Sequence, residues 1–473
     1  MTVWFDVEDL VHYFRSGNKR ISGIQRLTFE AARAARQLEG DAIRFVRHGA
    51  RPRSFLTVPW EELVADFDAD PNPEADAQIE AETVPISPLR LLAKRAADRL
   101  PADVRGPLVL ATVMQAQAAG SLAQFAFRLA TTPVRAVVRR SVAKVQPASV
   151  PQAESFDTLA RQGDTVLVLG APWMRPYADL ARWLRDERRM RFGVFVHDLV
   201  PIRHPEWCHR GVPRAFRDWY TELLPLCDLV LANSRHTAQD VEAYARESGI
   251  VLNGRVRPVP VGTGFGAAPR AGPGSRVPGL PKPGSYVLFV STMEARKNHA
   301  LAVRVWSLLL DDVRAGRRSP ESVPDLVFAG RVGWLVADLI RQLDNTKWLG
   351  GRVRLIRDPT DAALRALYQG SLFTLFPSLH EGWGLPVTES LALGKPCLCS
   401  DAAALPEAGG ALCRYFDPED VGAAYRAVAA VLDDRPGLAD WERRVRAEFR
   451  PTEWTETAHA LLDAVAALED NRA

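Results

Sequence analysis

Two glutamates eight residues apart, Glu381 and Glu389, flank a Gly-x-Gly and a proline in the run FPSLHEGWGLPVTESLALG. An apolar strand ending at Phe376, a loop carrying Glu381 and a helix beginning near Leu385 would set both carboxylates beside a helix start. Pro386 suits a first helical turn, where its missing N–H costs nothing. Gly382 and Gly384 let the backbone approach a ligand closely, and the unpaired amides of a helix start favour an anion. Such a constellation can hold the sugars on both sides of a diphosphate. Spacing alone is weak evidence, because paired glutamates are common on exposed helices.

Further candidates lie at the ends of other apolar runs. VLFVSTMEARKNHA carries Arg296 and Lys297 in a turn after a strand; a lysine there is a compact cation suited to phosphate. VFVHDLVPIRHPEW places His197 where a buried strand ends, the edge at which open α/β sheets bind ligands. Gly23, in the Ser22-Gly23-Ile24-Gln25-Arg26 turn, and Arg357, after the RVRLI run, are candidates of the same positional kind.

The elements that must position these residues alternate along the chain. Apolar runs at 3–6, 42–47, 165–169, 192–197, 229–232 and 256–261 read as strands. Others follow at 286–290, 326–329, 353–356, 372–376 and 396–400, with helical patterns between them. Strands separated by helices imply βαβ units and parallel sheets. Runs such as VLFV and LVLA suit strands covered on both faces. Residues 262–284, GTGFGAAPRAGPGSRVPGLPKPG, are too rich in glycine and proline for a regular element. The expected domains are therefore 1–262, a linker at 263–284, 285–451, and a final helix within 452–473 packing back toward the first domain.

With 473 residues, 47% hydrophobic and 25% charged, the chain has the composition of a globular protein with a substantial core. A net charge of +3 from 60 basic and 57 acidic side chains gives no reason to expect nucleic acid. The five cysteines include no Cys-x-x-Cys, so neither a disulfide framework nor a zinc module is expected. MTVWFDVEDLVHYF lacks the layout of a secretion signal, and no run of about 20 apolar residues is long enough to span a bilayer. A cytoplasmic location is expected. One region breaks the alternation, an insertion at about 50–157. Arg90–Lys144 carries a local net charge of +8 with apolar residues interleaved. Two readings stand: a solvated helical face, or contact with an anionic membrane, which would make the protein peripheral at the inner face of the plasma membrane.

The run EGWGLPVTE resembles the EGxGLPxxE signature of family 4 glycosyltransferases, and VLFVSTMEARKNHA, LVFAGRVGWL, HDLVPIRHPE and the Ser22–Arg26 turn resemble further segments of that family. The resemblance implies an α/β fold of the GT-B type, two facing Rossmann-like domains with a cleft between them. It implies a retaining, metal-independent hexosyltransferase, with mannose as first choice. The donor would be a nucleoside diphosphate sugar and the acceptor a glycan, glycolipid or protein-linked hydroxyl in cell-surface polysaccharide assembly. By the same resemblance Glu381, His197 and Lys297 are the catalytic candidates. Arg296, Gly382, Trp383, Gly384, Leu385, Val387, Glu389, Arg357 and Gly23 are the donor-binding candidates, with no cofactor and no metal site. The competing readings are a nucleotide-sugar 2-epimerase of the same architecture and a non-catalytic membrane-associated scaffold. The acidic Asp66-Phe67-Asp68 reads as a solvated loop and not as a metal-binding Asp-x-Asp.

Overall fold

A computed structural model describes residues 1–15, 23–51, 53–68, 155–171, 173, 177–264 and 279–470. The bulk of the expected insertion, with its basic run Arg90–Lys144, lies outside the described residues.

Two sheets organise the chain. The first contains β1 (Val3–Asp6), β2 (Ile43–His48), β3 (Phe55–Thr57), β4 (Thr165–Val168), β5 (Arg191–Val196), β6 (Leu229–Ala232) and β7 (Arg257–Pro258), in the order β3-β2-β1-β4-β5-β6-β7. All neighbours pair in parallel except β2 and β3. The second contains β8 (Tyr286–Val290), β9 (Asp325–Ala329), β10 (Val353–Ile356), β11 (Thr374–Phe376), β12 (Cys397–Ser400) and β13 (Arg414–Phe416), ordered β10-β9-β8-β11-β12-β13 and wholly parallel. This is the GT-B architecture expected from the sequence. The strand direction reverses its sequence order at β1/β4 and again at β8/β11. At such switch points neighbouring loops diverge and leave a crevice at the carboxyl edge.

The strands form where the sequence is apolar on both faces; every residue of β4 and β6 is buried. Several helices start at side-chain caps: Ser234 Oγ accepts from the Thr237 amide at 2.9 Å. Thr360 and Asp420 cap the helices Asp361–Gly370 and Val421–Asp433 in the same way.

Three differences have physical causes. The run at 256–261 pairs only over Arg257–Pro258, because Pro258 and Pro260 lack the N–H a ladder needs. β3 and β13, three residues each at sheet edges, carry too short a pattern to be read locally. The first sheet's core also runs past residue 50, where an insertion was expected to begin. Phe67, on the helix Trp60–Asp68, stacks on Phe29 with ring centroids 3.6 Å apart. Asp66-Phe67-Asp68 is therefore helical and not the loop the sequence suggests.

The helix Trp454–Asp470 joins the first core: Trp454, Ala458, Leu461 and Val465, spaced on one helical face, pack with Leu27, Phe29 and Val259. Truncating fully buried Leu461 to alanine would cost about 2–5 kcal/mol.

Candidate functional site

The second sheet's switch point brings two loops together. After β8 the chain turns through a short 3-10 segment, Ala295–Lys297, ended by Asn298 in the left-handed region, whose Nδ2 donates to the Pro418 carbonyl at 2.9 Å. After β11 it runs through Pro377–Gly384 into the helix Leu385–Ala392. The loops are tied by the Leu379 amide, which donates to the Arg296 carbonyl at 2.8 Å.

Glu381 stands at this junction and is buried. Lys297 Nζ lies 2.5 Å from its Oε1, Arg296 Nη1 lies 2.8 Å from its Oε2, and Ser378 Oγ donates to Oε1 at 2.6 Å. Burial alone would raise its pKa; the Arg296 charge first, then Lys297 and the Ser378 bond, hold it down at about 2. Arg296 also donates to Glu294 Oε1 at 2.7 Å and to the His380 carbonyl at 2.6 Å; burial works to lower its pKa, and the charges of Glu381 first and then Glu294 raise it. Two cations therefore face two carboxylates in a dry crevice. An arriving diphosphate would compete with these carboxylates for the two cations.

The Leu385–Ala392 helix starts at Gly384, whose φ of +104° favours glycine; a Cβ there would also lie 2.6 Å from Leu405. Val387 is buried, while Trp383 and Leu385 rest on the first domain's core. Trp383 Nε1 is buried without an acceptor among the described residues. Glu389 lies one turn into the helix, accepting from Tyr368 at 2.9 Å. Its pKa is raised by burial, against the lowering influence of Arg26 and the Tyr368 bond.

The first domain supplies the opposite wall. His197 follows β5, and its Nε2 lies 2.7 Å from the Leu169 carbonyl. A carbonyl can only accept, so Nε2 carries the proton. Burial lowers the ring's pKa, so the neutral ring leaves Nδ1 as an acceptor. Asn233 Nδ2 donates to the His197 carbonyl at 2.8 Å, and Thr237 Oγ1 donates to the Gly382 carbonyl at 3.3 Å. His204 and His236 of this domain approach His380 of the other, with ring centroids 5.1 and 5.4 Å apart. Glu407 accepts the Arg235 amide at 3.0 Å from both oxygens, so a carboxylate of one domain caps a helix of the other.

The structure thus brings Glu381, Lys297 and Arg296 into direct contact and sets Gly382 against the His197 carbonyl, with Gly384 at the helix start and Glu389 one turn on; Trp383 and Leu385 rest on the first domain's core, and Val387 lies within the second domain's core. Arg357 is exposed after β10. Asp361, four residues further on, reaches across to Arg26 Nη2 at 2.7 Å. Gly23 begins the helix Gly23–Glu39 with open space around its α-carbon, and the preceding loop lies outside the described residues. Sequence reasoning passed over Arg26, Asp361, Tyr368 and Ser378. Arg26 ends the Ser22–Arg26 turn that resembles a family segment, the one signal available in the sequence.

Comparison with known proteins covers part of the chain. Residues 275–448 match the family model described as "Glycosyl transferases group 1". The serotype-specific mannosyltransferase WbdA of Escherichia coli is 28% identical over 285 residues, 57% of this chain and 33% of that protein. The O-antigen chain mannosyltransferase B of Escherichia coli is 33% identical over 149 residues, 32% of this chain and 37% of that protein. The chain thus spans about a third of the length of these relatives. Among solved structures, TarM aligns with a TM-score of 0.49 at 13% identity, covering 66% of this chain and 56% of that one. The sequence likeness is thus to glycosyltransferases.

Proposed function

We propose that the chain is a retaining, metal-independent hexosyltransferase of family 4. It would move a mannose-like sugar from a nucleoside diphosphate donor to a glycan, glycolipid or protein-linked hydroxyl in polysaccharide assembly. The observation that carries this reading is Glu381, a buried carboxylate held by Arg296 and Lys297 at the switch point. The mannosyltransferase relatives support the choice of sugar. The epimerase alternative is not favoured, since the relatives described are transferases.

On this reading Lys297 and Arg296 turn from Glu381 to the departing diphosphate, offsetting its charge in a crevice where a fixed cation acts strongly. Glu381, freed of these cations, supports positive charge developing at the sugar's anomeric carbon. His197 Nδ1 accepts a hydrogen bond from a sugar hydroxyl, and Glu389 accepts from the nucleotide ribose. The first domain's wall excludes water, which otherwise competes with the acceptor. Retention follows front-face attack by the acceptor hydroxyl, its proton leaving with the diphosphate. The basic run Arg90–Lys144 is proposed to hold the protein at an anionic membrane, supported by its charge excess.

A panel of nucleotide sugars, assayed for donor hydrolysis with chelator present, tests the proposal. GDP-mannose turnover that persists in chelator and falls in Glu381→Gln is the expected result. Strict dependence on manganese or magnesium would overturn metal independence; turnover of no nucleotide sugar would overturn the transferase reading.

A further inference from the structure

We propose that Cys397, Cys399 and Cys413 form a three-sulfur site for one trivalent thiophilic ion of the arsenic(III) class. In sequence the three show no metal-binding spacing, but the sheet brings them together. Cys397 and Cys399 are two apart on β12, so they project to one face. β13 pairs in parallel with Leu398 opposite Arg414 and Cys399 opposite Tyr415, which sets Cys413 beside Cys397 on that same face. All three Sγ atoms lie within 4.8 Å of one another, all three residues are buried, and all are free thiols. Gly409 keeps the space above them, because a Cβ there would lie 2.6 Å from Cys413 Sγ.

The surroundings select the ion. The three sulfurs belong to the second domain's apolar core, beside Phe416, Leu438 and Trp441. Among the described residues no histidine or carboxylate completes the group. Zinc in structural sites takes four ligands, and with three thiolates it leaves one negative charge uncompensated. Monovalent copper leaves two. A buried charge without a partner is costly. A trivalent ion on three thiolates is neutral and suits a three-coordinate, dry site. The exchange balances without any redox change: three thiols and arsenous acid give three As–S bonds, and each thiol proton leaves with a hydroxide as water. Entry is through β13, a three-residue edge strand, where local opening costs least.

Native mass spectrometry of the reduced full-length protein with arsenite tests this. The expected result is one arsenic gained and three hydrogens lost per chain, unchanged in Cys208→Ser and absent in Cys399→Ala and Cys413→Ser variants that melt as the wild type does. Should neither variant fold, thiol mapping of the wild type decides, since arsenite must shield these three cysteines together from alkylation. No uptake, loss of fewer hydrogens, uptake unchanged in a folded variant, or tighter binding of zinc than of arsenite would each overturn the proposal.

Discussion

The α-carbon of Gly382 faces the carbonyl of His197 so closely that a β-carbon there would lie 1.8 Å from the oxygen. The donor-side loop and the cleft wall of the first domain thus meet backbone to backbone, with no side chain able to yield. Gly382→Ala must push the loop or the wall aside, an overpacking cost of about 1–3 kcal/mol. We expect a lowered melting temperature and a larger loss of donor turnover, since the displaced loop carries Glu381. Gly23→Ala, with open space around it, should melt as the wild type does. Equal melting of Gly382→Ala and wild type would mean that the two domains part without cost.

Glu381 and Glu389 should fail differently. Glu381→Gln leaves Arg296 and Lys297 facing a neutral amide and removes charge beside the reacting carbon. Turnover should fall by about 2.7–4 kcal/mol of barrier, as for loss of one preorganised electrostatic group. Glu389→Gln gives up a charge-assisted bond of about 1.5–3 kcal/mol, seen as weaker nucleoside diphosphate binding. Steady-state kinetics with calorimetry on both variants separates the two effects. Intact turnover in Glu381→Gln would end this division of labour.

Arg26 joins the domains through Asp361 and lies close enough to Glu389 for its charge to act on that carboxylate. Breaking a buried pair on one side costs about 3–5 kcal/mol; Asp361 is part-exposed, so Arg26→Ala should fall below that range. A double-mutant cycle with Asp361→Asn measures the coupling. Additive effects would show that the two residues act independently.

His380 should make stability depend on pH. Burial first, then the charges of His236, His204 and Arg296, lower its pKa to about 4 against the opposing pull of Asp198. A pKa below the unfolded value of about 6.5 means that the unfolded chain binds the proton first. Stability is then complete above pH 6.5 and declines as pH falls toward 4. Denaturant midpoints across this window should slope less in His380→Gln than in the wild type. Identical slopes would remove His380 from the account.

The strands were legible where both faces are buried, as in VLFV and LVLA, because a continuous apolar run needs no partner to be recognised. The loop EGWGLPVTE was legible for a related reason. Its glycines, proline and carboxylates act within a few residues of one another. What escaped reading depends on contacts distant in sequence. Arg26 meets Asp361 across 335 positions, and no local pattern announces the pairing. Ser378 is one serine among many until β11 and β12 place it against Glu381. Asp361, at a helix start, pairs with Arg26 of the first domain, and nothing in its local sequence marks it. Cys397 and Cys413 become neighbours only through the register of β12 with β13.

The chain leaves the first domain at Gly262 and returns to it at Trp454, and the two passages touch. The Thr263 amide donates to the Thr452 carbonyl at 2.9 Å, Thr457 Oγ1 bonds both the Pro260 carbonyl and the Gly262 amide, and a Cβ on Gly262 would collide with the Trp454 ring. Both covalent crossings therefore share one pivot. A parting of the domains that keeps these contacts would swing about this stitched corner, with displacement growing with distance from it. A disulfide or a bulky side chain placed at the corner would stiffen the swing without touching any residue of the crevice.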